Sequence, residues 1–127
     1  MSKQTVYLCG GINALSDSDA RDWREAAKEL LGQRFQILDP MRRDYRGQEA
    51  VAWRQIVRGD LTDIALSDIL LINASRPSWG TGMEMPYARM LGKTNLAFGA
   101  GEKPSPWLVY HATLYVDLEE ACRALLV

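Results

Sequence analysis

No run of apolar residues in this chain approaches the length of about 18 that suggests a membrane-spanning helix, and no signal-peptide pattern precedes Val6. A soluble, cytoplasmic protein with no membrane partner is therefore predicted. There are only two cysteines, Cys9 and Cys122, and they lie far apart with no metal-ligand spacing, so no metal site is predicted. Cys9 falls in an apolar stretch and reads as an inert core thiol. His111 is the only histidine, and no Ser or Cys stands with it in a recognisable arrangement, which leaves triad chemistry without support. Lys and Arg total 15 against 16 Asp and Glu, with a net charge of −1 and no basic run. The footprint of a nucleic-acid polymer binder is missing, although a few local arginines suffice for a small anion. No Gly-x-Gly-x-x-Gly fingerprint follows the first apolar run, and the chain contains no internal repeat or low-complexity segment.

The residues that are present suffice for one packed domain spanning 1–127, with 47% hydrophobic and 24% charged residues. Thr5 to Cys9 reads as a short buried strand stopped by Gly10-Gly11. Ser16 and Asp19 have capping-box spacing. Beyond them Ala20, Trp23, Ala27, Leu30 and Leu31 share one helical face, and Gly32 ends that helix. Phe35–Leu38 is a second strand, closed by Asp39-Pro40. Met41 to Gly47 is a polar loop whose arginines, Arg42, Arg43 and Arg46, are of a kind that often only solvate a loop. Gln48 to about Leu66 is a long helical stretch with a break near Gly59 as one option. Ile69–Asn73 is a third strand, Glu84–Leu91 a helix that tolerates Pro86 only in its first turn, and Thr94–Phe98 a fourth strand. Gly99 to Pro106 is a loop, Leu114–Val116 a last strand and Leu118–Leu126 a closing helix. Alternation of this kind predicts a parallel sheet covered on both faces. Five strands in this length fit a flavodoxin-like (Rossmann-like), doubly wound α/β domain, with its ligand crevice at the C-terminal strand ends.

Several residues on that rim are candidates for chemistry. Glu84 follows the Gly80-Thr-Gly82 turn at the start of a helix, where the dipole favours an ionised acid that can serve as nucleophile or ligand clamp. The blander alternative is an acid that merely complements the dipole. Asp60 shares the stripe of Trp53, Ile56 and Ile64, and a carboxylate there is costly unless paired or bonded. It either bonds nearby backbone, caps a helix restarted at Gly59, or has a function. Asp63 and Asp68 read as exposed or capping residues. Tyr7 is either a core tyrosine with a satisfied hydroxyl or a donor to a catalytic carboxylate. Ser78 is either a loop serine or a phosphate partner.

Together these residues resemble the nucleoside 2-deoxyribosyltransferase family, including the related 2′-deoxynucleoside 5′-phosphate N-hydrolases. The resemblance runs from about Thr5 to Leu118. Tyr7-Leu-Cys-Gly10 is similar to the family's opening strand end. Gly59-Asp60-Leu61 with Ala65 to Leu71 is similar to its Asp-Leu helix and third strand. Ser78 to Ala88 with Gly92-Lys93 is similar to its glutamate-bearing helix entry. The resemblance implies retaining glycosyl transfer without metal or cofactor. Glu84 attacks C1′, Asp60 serves the departing base and Tyr7 orients Glu84. It also implies that the substrate is a small nucleoside or nucleotide, with water or a second nucleobase as sugar acceptor.

Two departures from the family pattern bear on specificity. Many relatives have Glu-(Leu/Ile)-Gly where this chain has Glu84-Met85-Pro86. The position six before the nucleophile is acidic in free-nucleoside transferases and serine in the 5′-phosphate hydrolases. Here it is Ser78, which favours a 5′-monophosphate, with Asn13 and the Gly10 and Gly11 backbone as further contacts. By the same resemblance Ser105 matches a phosphate-binding serine and His111 falls near a polar residue, each lent to a neighbouring subunit. A homodimer or larger assembly is thus implied, and the apolar Pro106 to Tyr110 segment suits an interface. The alternative functional class is a non-catalytic nucleotide-binding or sensing domain on the same fold. A phosphoacceptor receiver domain is excluded, because Gly10-Gly11 and Asn73 stand where it needs acids.

Overall fold

The computed structural model describes residues 2–127. Five parallel strands form one sheet in the order β2-β1-β3-β4-β5: β1 Gln4–Cys9, β2 Phe35–Leu38, β3 Ile69–Asn73, β4 Thr94–Phe98 and β5 Thr113–Tyr115. This is the predicted doubly wound α/β order, whose direction of growth reverses between β1 and β3. The helices are α1 Asp17–Leu31, α2 Glu49–Leu66, α3 Trp79–Met90, α4 Pro106–His111 and α5 Leu118–Leu126, with a short 3-10 turn at Pro40–Arg42.

Strand periodicity divides the core in two. Val6, Leu8, Leu71 and Leu96 pack with Ala27 and Leu31 of α1 and with Leu118, Ala121 and Cys122 of α5. Tyr7, Cys9, Leu70, Ile72 and Ala97 face the other way, toward Ile64 of α2 and Met85 and Ala88 of α3. Tyr7 and Cys9 therefore share a face because they are two residues apart. The Ser16 cap follows the sequence, accepting from the Asp19 N–H at α1, and the structure adds Asp117, which accepts from the Glu120 N–H at α5.

Several boundaries differ from the sequence reading. α3 begins at Trp79, so Gly80-Thr-Gly82 is not a turn before the helix but lies in its first turn, and Glu84 sits in the second turn. Pro86 is inside α3, two turns in, where it removes the bond that the Gly82 carbonyl would otherwise accept. α2 runs through Gly59 without a break. The segment after Gly99 contains the one-and-a-half-turn α4, started by Ser105 and Pro106, and β5 begins at Thr113 rather than Leu114. On α1 Leu30 is exposed, although it shares the predicted apolar face, while Arg24 is fully buried.

Candidate active site

β1 and α3 carry the centre of the site. The Tyr7 hydroxyl donates to Glu84 Oε2 at 3.0 Å, and the Cys9 thiol donates to Glu84 Oε1 at 3.3 Å. Asp60, from the middle of α2, is near enough for its charge to act on Glu84. Tyr7, Asp60 and Glu84 line a cavity of about 180 Å³ at the C-terminal strand ends, together with Gly10, Asn13, Arg43, Ser78, Gly80 and Thr81, while Cys9 lies buried behind it.

Burial and then the neighbouring Asp60 charge push the Glu84 carboxyl up to about 7, against the opposing pull of hydrogen bonds from Cys9 and Tyr7. The sequence expectation of a dipole-ionised acid is thus corrected, because a residue in the second turn of α3 lies past the helix-end N–H groups and is surrounded by protein. Asp60 is also raised by burial, although Arg43 beside it opposes that shift. Two neighbouring carboxyls therefore titrate as a pair, with Glu84 pushed up to about 7. Burial first, and the Glu84 charge second, raise both the Tyr7 phenol and the Cys9 thiol above their ordinary values. Both remain protonated donors throughout the working range.

A band of charge fixes Asp60. Arg43 donates to Asp60 Oδ1 at 3.2 Å and to Asp63 Oδ2 at 2.8 Å, and Arg42 bonds both oxygens of Asp63 at 2.7 and 2.8 Å. Asp63 is thus neither exposed nor a cap but a buried anchor for the two arginines. Burial raises its carboxyl, but the bonds from Arg42 and Arg43 outweigh that and hold it below the ordinary range. Gly59 lets this happen, because a Cβ there would stand 2.8 Å from Arg43 Nε. Arg43 consequently lies over α2 rather than in solvent. A second buried cation holds the loop after β1. Arg24 donates to the Gly10 carbonyl at 2.9 Å and to the Ala20 carbonyl at 2.6 Å, with Asp39 at 3.6 Å from Nε. Gly10 must be small, since a Cβ would meet Trp23 at 2.9 Å.

The remaining predicted residues fall in adjoining cavities. Gly11, Asn13, Ser78, Gly80 and Gly82 border one of about 620 Å³. Ser78 is the α3 N-cap residue, yet its side chain makes no capping bond, so its hydroxyl is free to face a ligand. Ser105 and His111 line another cavity of about 610 Å³, reached across Ser78 and Gly82, and are not beside Glu84 in the same chain. Ser105 spends its hydroxyl oxygen on the Trp107 N–H, whereas His111 Nδ1 is buried without a partner. Among the described residues, no group of three or more His, Cys, Asp or Glu side chains is arranged to hold a metal ion. No helix there is long and apolar enough to cross a membrane.

Comparison with known proteins agrees with this architecture. The family model for nucleoside 2-deoxyribosyltransferase matches residues 6–119. The chain belongs to the nucleoside 2-deoxyribosyltransferase family. Among solved structures it is similar to the 2-deoxyribosyltransferase of Bacillus psychrosaccharolyticus, with a TM-score of 0.72 and 18% identity over 91% of this chain and 88% of the other. It is also similar to the 2-desoxiribosyltransferase of Leishmania mexicana (TM-score 0.62, 23% identity, 80% and 67% covered). The CMP N-glycosidase of Clostridium botulinum covers all of its own length and 98% of this chain, with a TM-score of 0.64 and 17% identity. No curated protein matches the sequence.

Within this 2-deoxyribosyltransferase family member, the sequence reading missed two contributors beside Glu84 and Asp60. Cys9 was an inert thiol by composition, but its spacing from Tyr7 already put it on the same strand face. Arg43 was one of three loop arginines, and no spacing rule separates it from Arg46, which lines the same cavity but pairs with Asp44 and Asp17. Only the fold, by laying the loop over Gly59, distinguishes them.

Proposed function

We propose that this protein cleaves the N-glycosidic bond of a (2′-deoxy)nucleoside 5′-monophosphate, or of the free nucleoside, through a covalent glycosyl ester on Glu84. The observation that carries the reading is the Tyr7–Glu84–Asp60 cluster, enclosed at the reversal point of the sheet. Pure binding does not need two neighbouring carboxyls, since their repulsion costs stability; retaining glycosyl chemistry uses two, one as nucleophile and one beside the leaving group. In the first step a Glu84 oxygen bonds C1′ as the C1′–N bond breaks. The bonding pair leaves with the base, which takes a proton or hydrogen bond from Asp60. Tyr7 keeps its proton and fixes the orientation of the Glu84 carboxylate. In the second step water, or a second nucleobase, attacks C1′ as the ester bond to Glu84 breaks, its proton passes to the Asp60 carboxylate, and Glu84 is released as a carboxylate. Splitting the reaction in two is ordinary covalent catalysis by a carboxylate.

The 5′-monophosphate is favoured over the free nucleoside by the Ser78 hydroxyl, which makes no capping bond, next to the first-turn N–H groups of α3. Gly10, Gly11, Asn13, Gly80 and Gly82 supply the surrounding wall. A dimer or larger assembly would bring Ser105 or His111 of a neighbouring copy to the same site. This is supported by exposed Trp107 and Tyr110 on α4 and Trp79 and Met83 on α3, large apolar groups at one rim.

The deciding experiment incubates the protein with a panel of nucleosides and 5′-monophosphates, with and without free base, followed by chromatography. Base release that vanishes in a folded Glu84→Ala variant, and a sugar-mass adduct on wild type from a 2′-fluorinated substrate, are expected. Near-normal turnover by Glu84→Ala would overturn the nucleophile. Tight nucleotide binding with no base release would instead establish the sensing domain.

A further inference from the structure

The environment of Glu84 contains a conflict that Tyr7 alone does not resolve. A nucleophile must be ionised when it attacks. Burial and Asp60 both drive Glu84 toward its protonated form. The groups facing it are few: Tyr7 and Cys9 on β1, and Asp60 on α2. Behind these stand Arg43 and Asp63, tied to Asp60 and to each other, and Arg24 beneath the loop after β1. Arg43 and Asp63 act on Asp60, and Arg24 is spent on the Ala20 and Gly10 carbonyls. The direct donors to Glu84 itself are therefore the phenol on Oε2 and the thiol on Oε1.

We infer that Cys9 is a positioning residue of the reaction, its thiol working as a fixed donor that holds the second oxygen of Glu84 and biases the carboxyl toward its ionised form. Three observations converge on this. The Sγ–Oε1 distance of 3.3 Å is within bonding range for sulfur. Cys9 is fully buried in β1, so no water competes for Oε1 from that side. A thiol offers one proton and is a weak acceptor. It suits a carboxylate, which only accepts, better than a carboxylic acid, which must place a proton of its own. With one donor on each oxygen, protonating Glu84 sets its new O–H against a donor already in place. Nearby, the buried Thr81 hydroxyl acts on the sulfur as a donor, which leaves the thiol's own proton for Oε1. The consequence is orientation as well as charge, because a carboxylate pinned at both oxygens cannot rotate out of line with C1′.

This inference rests on the glycosidic reading, but its test does not require that reading to hold. The side-chain carboxyl of Glu84 is followed by carbon-13 NMR across pH in wild type, Cys9→Ala and Cys9→Ser, with Glu84→Gln assigning the signal. Loss of one hydrogen bond is expected to raise the Glu84 titration by about half to one pH unit in Cys9→Ala. Cys9→Ser, with a hydroxyl in place, should restore it. In the pH–rate profile the same change should lower kcat by about two- to fivefold near neutrality, with KM nearly constant. If Cys9→Ala does not fold, the wild-type S–H stretching band in the infrared serves instead, and it should move to higher frequency in Glu84→Ala. Identical Glu84 titration with and without the thiol, or an S–H band indifferent to Glu84, overturns the inference. A shifted titration in a protein that releases no base from any substrate supports Cys9 as the partner of Glu84 and overturns the glycosidic reading alone.

Discussion

Replacing Glu84 by Gln should stabilise the folded protein, and the gain should grow with pH. The carboxyl titrates at about 7 in the folded state against an ordinary value of 4.5. Below about 4.5 both folded and unfolded chains carry the proton, and the group contributes no difference. Between 4.5 and 7 the folded state binds more protons than the unfolded one, so wild-type stability falls as pH rises. Above 7 both states are ionised and the full cost persists. A displacement of about 2.5 units corresponds to at most about 3 kcal/mol, a ceiling because the carboxyl borders an open cavity. For a chain of this length each kcal/mol moves Tm by about 3–5 °C. Glu84→Gln should therefore match wild type near pH 4.5 and melt up to about 15 °C higher at pH 8. Calorimetry of both proteins from pH 4.5 to 8.5 reads this directly. A variant that is less stable than wild type at pH 8, or a difference independent of pH, would refute the argument that Glu84 is held against its own charge.

Asp60→Asn keeps the shape and most hydrogen bonds but cannot supply a proton, so base release from natural substrates should drop by about 10²–10⁴; a substrate with a good leaving group should lose much less, and equal losses would make Asp60 structural. Ser78→Ala should cost about ten- to a hundredfold in kcat/KM on 5′-monophosphates, the worth of one charge-assisted bond, and leave free nucleosides almost unchanged; equal use of both substrates by wild type would count against the phosphate assignment. Trp107→Glu should dissociate the assembly and lower activity together, as read by light scattering and turnover, whereas a fully active monomer at low concentration would exclude a shared site.

Most of the architecture was legible in the sequence, because the short apolar runs were bounded by residues that act locally. Gly10-Gly11 stops β1, Asp39-Pro40 stops β2, and the Ser16 cap starts α1. The start of α3 was misplaced because Gly80 and Gly82 read as a turn, whereas in the structure glycine is tolerated in the opening turn of a helix packed by Thr81, Met85 and Ala88. That shift of one turn changes the chemistry as well as the boundary. It moves Glu84 from the field of the helix end into a partly enclosed place against Tyr7, Cys9 and Asp60. Asp63 and Arg24 were unreadable for a different reason. A buried charge is recognised by its partner, and Asp63 finds its partners on the loop after β2, about 20 residues away.

The partner of Asp63 also explains how the two acids of the site acquire different environments. Asp60 and Asp63 are three residues apart on α2, and both contact Arg43. Asp63 takes the shorter bonds and a second arginine, and is held below its ordinary range. Asp60 keeps only the 3.2 Å contact, faces the cavity and is raised. One arginine thus serves a fully committed carboxylate and a loosely held one. The committed partner anchors Arg43, so its pull on Asp60 is fixed in place but weak. Environments that push neighbouring carboxyls in opposite directions are what separates an acid from a structural anion. The same division recurs across the cavity, where Glu84 has donors on both oxygens and no cation of its own. The leaving-group side of the proposed site is therefore set by a charge and the nucleophile side by neutral donors, so weakening Arg43 should alter Asp60 first and Glu84 only through it.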